Sequence, residues 1–210
     1  MSLNDKLIGI DITYSLCKES TMATSSVVTS EAKGPGVISK MGGPMAYARV
    51  YFEAFLYFII GALDLLASIN YYFIYASDRD ALSRFYFKNQ MENFIDAPNI
   101  NPTYAKLLLD NKTWIDDVQS NRDGLAHKAS VFLSLDNDKV MFSKRRPLDD
   151  NVPLHKLPRE DLLQYLDNTD ESLYKFLDSY TAIHRDRVPI SQQARFMLDS
   201  LDNDKLQALM

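Results

Sequence analysis

A chain of 210 residues suits one domain of ordinary size, or one domain with a small appendage. Apolar residues at 46% and charged residues at 24% fit a folded globular protein and exclude bulk disorder. A formal net charge of -5 excludes a global basic field, so any contact with nucleic acid must come from a local patch.

The single cysteine, Cys17, leaves no disulfide to form within the chain and suits a reducing cytoplasm. It reads as a small hydrophobe rather than a nucleophile. The three histidines, His127, His155 and His184, show no paired-ligand spacing, and no CxxC or HExxH is present. Neither a metal nor any other cofactor is therefore expected. Gly34-Pro35-Gly36 and Gly42-Gly43-Pro44 read as chain breakers rather than phosphate cradles. The first twenty residues lack the continuous apolar core of a signal peptide, so a cytoplasmic location is expected.

In chain order, Met1-Ser2-Leu3 carries no structural weight in this reading. Residues 1–20 fit a short strand through Ile8, Ile10 and Ile12, or equally a helix. Residues 20–44, rich in Ser, Thr and Gly, read as a long loop, with Met41-Gly42-Gly43-Pro44 as the stop before the next element. Residues 1–45 are thus expected as an N-terminal extension and loop. From Met45 to about Tyr75 runs the strongest helix signal, unbroken and apolar from Ala54 to Leu63. The length fits a membrane span, but the charges oppose one. Glu53 and Asp64 would each cost ~2.5–3.5 kcal/mol near a bilayer centre. Arg49, Glu53, Tyr57, Gly61, Asp64 and Ser68 also fall on one helical face, which predicts a narrow polar seam on an otherwise buried helix. Asp64 is read mainly as a seam carboxylate paired with Arg49 or with solvent, with a supporting role to a catalytic arginine or histidine as the sharper alternative.

Helices are then predicted from Ser77 to Asp96, from Pro102 onward with a weak point at Asp110-Asn111, and from Leu157-Pro158-Arg159-Glu160-Asp161 to about His184 with a weak point at Asp167 to Asp170. Ser191 to Leu209 reads as a last amphipathic helix. Val131–Leu135 and Lys139–Phe142, joined by Asp136-Asn137-Asp138, read as a β-hairpin. The fold class is mainly α: a bundle of four to six helices over residues 46–185, a small β-hairpin, and a C-terminal helix in 186–210 packing on the bundle.

The sharpest chemical signal is Asn121-Arg122-Asp123-Gly124-Leu125-Ala126-His127-Lys128. Arginine can hold a phosphate with two parallel hydrogen bonds, and histidine can move a proton near neutral pH. Ser120 to Asp123 has a Ser-x-x-Asp capping pattern, which predicts a helix start or sharp turn at Asn121. That would set Arg122 at a positive helix end suited to an anion. Asp123 and His127 stand four apart and would share a face. Arg122 and His127 stand five apart, about 140° around a straight helix, so one chain alone does not bring them together. Asn121, Lys128 and the basic run Lys144-Arg145-Arg146 are candidate phosphate contacts. A surface ion-pair network at a helix cap is the plainer reading of Arg122, Asp123 and His127.

Arg122-Asp123-Gly124-Leu125-Ala126-His127 fits the arginine–polar–three-residue–histidine motif of the HEPN superfamily of α-helical domains, which the chain resembles over roughly residues 46–185. The resemblance implies a helical bundle, often a homodimer in which two motifs meet. It also implies, in active members, a metal-independent endoribonuclease of toxin–antitoxin or phage-defence systems. His127 would then act on the ribose 2′-hydroxyl or the leaving oxygen, Arg122 would bind the scissile phosphate and Asp123 would position His127. The product would carry a 2′,3′-cyclic phosphate. RNA and an antitoxin or other protein are the partners so implied, with no membrane. A non-catalytic module binding nucleotide or protein is the alternative within the same superfamily.

Overall fold

Four long helices make up most of the described chain, and each starts on a side-chain cap or a proline. The computed structural model describes residues 2–30, 35–75, 87–88, 91, 102–127, 132–143 and 157–185. Helix α1 spans Leu3–Ser30, α2 Pro35–Tyr75, α3 Pro102–His127 and α4 Leu162–Arg185. Strands β1 (Leu133–Asp136), β2 (Lys139–Ser143) and β3 (Arg159–Asp161) form an antiparallel sheet in that order. The architecture is the expected mainly-α bundle with a small sheet.

Of the two readings offered for residues 1–20, the helix is the one that forms, and it continues where a loop was expected: residues 3–30 are one helix, and residues 35–44, also expected as loop, belong to α2. Two of the residues given no weight contribute too: Ser2 caps α1, and Leu3 packs against the core. The face of α1 turned to the core is Ile10, Thr13, Cys17, Thr21 and Thr24, a helical spacing written largely in threonine. Those hydroxyls stay buried because each donates to a carbonyl one turn back: Thr13 to Gly9 at 2.7 Å, Thr21 to Cys17 at 2.7 Å and Thr24 to Ser20 at 2.8 Å. Burial pushes the Cys17 thiol up to about 12, as suits an inert core residue, and it donates to the Ala48 carbonyl.

Helix α2 runs through Pro44 instead of starting after it. A proline inside a helix costs ~3 kcal/mol. Burial of Ala48, Phe52, Phe55 and Leu56 just beyond it offsets this at ~1.5–3 kcal/mol for each large side chain. The polar seam is present: none of Arg49, Glu53, Tyr57, Gly61, Asp64 or Ser68 is buried, whereas Phe52, Phe55, Leu56, Ile59 and Leu63 are fully so. Gly42–Ile69 is long and apolar enough to cross a membrane by length and composition, and half of its apolar window is buried inside the bundle.

Contacts fix the helix directions. A methyl at Gly9 would lie 2.6 Å from the Phe58 ring, while Gly61 receives the Lys6 side chain and Cys17 meets Ala48. Later residues of α1 thus meet earlier residues of α2, so the two run antiparallel. Phe52, Tyr165 and Asn121 share one level of the bundle, and Leu66, Tyr180 and Tyr104 share another. The four helices alternate up and down. Between the levels sits Phe176, in ring contact with Trp114, Phe87 and Tyr180.

The predicted weak points hold as helix. Asn111 ties itself in by donating to the Leu107 carbonyl at 2.9 Å and accepting from the Trp114 indole at 2.8 Å. Thr169 is buried in α4, and Asp167 bonds across to α1. The hairpin forms as expected, with Asn137 at a φ of 58° in the turn. Arg159–Asp161, expected as a first helical turn, instead pair with β2 and give its free edge a partner. Asp161 then caps α4 by accepting from the Leu163 N–H at 3.0 Å, while its other oxygen takes Lys139 at 2.9 Å. Phe87, Lys88 and Met91 are helical; the rest of the expected 77–96 helix, and the expected 191–209 helix, lie outside the described residues.

Candidate functional site

The motif lies in the last two turns of α3, not at a helix start. Asn121, Arg122 and Asp123 continue a helix already twenty residues old by the numbering, so their N–H groups have carbonyls one turn back to bond. The capping pattern at Ser120 is therefore unused, and the positive helix end expected at Arg122 is absent. This is the carbonyl end, where the helix dipole favours a cation and disfavours an anion. Arg122 is well placed for helix stability there, and a phosphate gains nothing from the dipole.

Each candidate residue has a definite place. Asn121, expected to touch substrate, is buried and points into the bundle. Its amide donates to the Tyr165 hydroxyl at 3.1 Å and to Asp117 Oδ2 at 3.3 Å, which ties the end of α3 to α4. Burial raises the Tyr165 phenol far above its ordinary value, with the nearby Asp117 charge adding to this and the bond from Asn121 opposing it. The same ring packs edge-on against Phe52 and Phe142, at 5.6 Å and 4.8 Å between centroids. Asn121 is a rung of the core.

Arg122 sits beside that rung at the bundle rim, its side chain 24% exposed. Its Nη1 lies 3.1 Å from Asp123 Oδ1. Its Nε is buried and has no hydrogen-bond partner. The guanidinium is thus only partly engaged: its Nη1 is paired to a neighbouring carboxylate, and its Nε–H is buried without a partner. His127 continues the same helix, so the backbone sets it about 140° around the axis from Arg122. Its side chain lies outside the described residues, as do Lys128, Lys144, Arg145 and Arg146.

Asp64 does not join this group. It accepts from the Phe87 N–H at 3.1 Å. It stands twelve residues along α2 from Phe52, which marks the level of Asn121, and that is about 18 Å at the helical rise. The seam reading of Asp64 holds, although its observed partner is a backbone amide and not Arg49. Tyr165 and Asp117, which shape the motif's surroundings, were not singled out in the sequence. Asp117 and Asn121 share a face at four-residue spacing, a local signal, but Tyr165 comes from another helix and has none. Among the described residues, no group of three or more His, Cys, Asp or Glu side chains is placed to hold a metal ion.

Comparison of the chain with family models, with curated proteins and with solved structures finds no match in any of the three.

Proposed function

We propose that the end of α3 is an RNA-phosphate site of HEPN-like character, and that the protein is a metal-independent endoribonuclease whose site is completed by a second copy of the chain. The observation that carries this is Arg122: a rim guanidinium with a buried, unused Nε donor, held on a helix end that the Asn121–Tyr165 rung fixes in place. The exposed part of the guanidinium, at 24% of the side chain, is what a phosphate oxygen supplied from outside would meet. The bundle architecture and the continuous helix under Arg122 and His127 also support it. Since one helix turns the two side chains apart, the second motif has to come from another molecule. In this reading the protein works in the cytoplasm, in a toxin–antitoxin or defence role, with a partner that restrains it.

A second reading is favoured by one contact. The 3.1 Å pair between Arg122 and Asp123 satisfies part of the guanidinium internally, and the helix end repels anions. Both features suit a non-catalytic module that binds nucleotide or protein.

The test is incubation of the purified chain with a mixed RNA pool in EDTA. Cleavage leaving 2′,3′-cyclic phosphate ends is expected. It should fall by about 100-fold or more in His127→Ala, the usual weight of a general acid or base, and in Arg122→Ala. An intact RNA pool over a folded protein at high concentration defeats the enzyme and leaves the binding module. Sedimentation should show a dimer, and a strict monomer defeats the shared site.

A further inference from the structure

We propose that the seam between α1 and α4 is an acid-tightened contact, in which uptake of one proton at Asp170 strengthens the packing of the two helices. The seam is a ladder of matched spacing. Asp11, Tyr14 and Lys18 on α1 stand at i, i+3 and i+7; Asp167, Asp170 and Tyr174 on α4 stand at the same intervals. The helices run antiparallel, so the ends of the ladder pair crosswise. Tyr174 donates to Asp11 Oδ1 at 2.6 Å at one end. At the other, Tyr14 donates to Asp167 Oδ1 at 2.6 Å, and Lys18 donates to the same oxygen at 2.9 Å and to the Tyr14 hydroxyl at 3.0 Å.

A donor census leaves the middle rung short. Both tyrosine hydroxyl protons are spent on Asp11 and Asp167, and the one ammonium is turned to Asp167. Asp170 lies between two other carboxylates with its Oδ1 buried and without a hydrogen-bond partner. A carboxylate so placed is destabilised by lost hydration and by like charge. The groups acting on it are Asp11 and Lys18 of α1 and Asp167 of α4, and it acts in turn on Tyr174. Burial, then Asp11 and Asp167, raise its pKa; Lys18 opposes them and does not prevail.

The sign follows from linkage. A carboxyl whose folded value is raised binds its proton more readily in the native state. Its contribution is complete below the ordinary aspartate value and is lost as pH rises through the folded value. Asp167 runs the other way. Burial works against its charge, but the bonds from Tyr14 and Lys18 hold it below its ordinary value, so its contribution is lost only in stronger acid. Together they place the tightest seam near the ordinary aspartate value.

The experiment is thermal unfolding of the full chain and of Asp170→Asn, at about pH 3.5, below the ordinary aspartate value, and at about pH 7.5, well above it. Asp170→Asn keeps the shape and removes the charge. It should raise Tm by ~2–4 °C at the higher pH and by less than about 1 °C at the lower. A Tm lowered equally at both pH values, or a gain that does not change with pH, overturns the proposal. A carbon-13 carboxyl titration of the wild-type chain gives a reading independent of the variant. A midpoint for Asp170 above the ordinary aspartate value supports the proposal, and one at or below it overturns it.

Discussion

Ser2-Leu3-Asn4-Asp5 and Ser120-Asn121-Arg122-Asp123 carry the same Ser-x-x-Asp pattern, and the fold uses them in opposite ways. At the first, the exchange of a capping box is complete: the Ser2 N–H donates to Asp5 Oδ2 at 2.7 Å and the Asp5 N–H donates to Ser2 Oγ at 3.2 Å. At the second the helix simply passes through. A capping box has value only where N–H groups lack carbonyls one turn back. Ahead of Ser120, Leu108, Ile115 and Val118 are buried on one face, so the helix is already fixed by packing when it reaches the pattern. There the polar side chains serve the bundle instead: Asn121 reaches inward to Tyr165, and Arg122 pairs with Asp123. The consequence is chemical as well as structural, because the motif loses the positive helix end that a cap would have supplied.

The largest effect expected from this contrast is at Asn121. Asn121→Ala removes the donor to a buried phenol and to Asp117, and should cost ~1–3 kcal/mol, the penalty for leaving buried polar groups unsatisfied. For a chain of this size that lowers Tm by ~2–12 °C. If Asn121 acted at the surface on substrate alone, thermal unfolding would not register its loss. Next comes Asp161, the aspartate that does cap α4. Asp161→Ala removes an N-cap and the partner of Lys139, and should cost ~1–2 kcal/mol in urea unfolding. A value within error of zero would return α4 to the proline-led start that its sequence suggests.

How much of this the sequence displays depends on whether a signal is local. The α2 seam, the hairpin turn at Asn137 and the Pro102 start of α3 are local patterns, and all are present in the structure. The buried face of α1 is also periodic, but Thr13, Thr21 and Thr24 share it with Ile10 and Cys17. Scored as polar, those threonines hide the period; scored as side chains that bond to their own backbone, they reveal it. Pro44 and Asp110-Asn111 look like breaks because propensity is a local quantity, and packing of the residues beyond them overrides it. Strand β3 is three residues long and is set by the edge of β2, a partner no local pattern names. At the site, the Arg122 to His127 spacing is legible, while the Tyr165 rung, made across two helices, is not.

The smallest effect is also the most direct comparison of the two patterns. Ser2→Ala removes the hydroxyl that accepts from the Asp5 N–H and should cost ~0.5–1 kcal/mol, seen as faster hydrogen exchange in the first turn of α1. Ser120→Ala, the same substitution inside α3, should fall within about 0.5 kcal/mol of zero, as changes away from caps and buried bonds do. The two sites should also differ in acid. The backbone and side-chain bonds from Ser2 hold the Asp5 carboxyl below its ordinary value. A depressed folded value contributes stability that is present above the unfolded value and lost as pH falls through the folded one. Protection of the α1 start should therefore fade below about pH 4, where aspartate begins to protonate, and Ser2→Ala should flatten that dependence. A Ser120→Ala penalty equal to that of Ser2→Ala would mean that the box at Asn121 does cap, and would restore the anion seat at Arg122 that a continuous α3 removes.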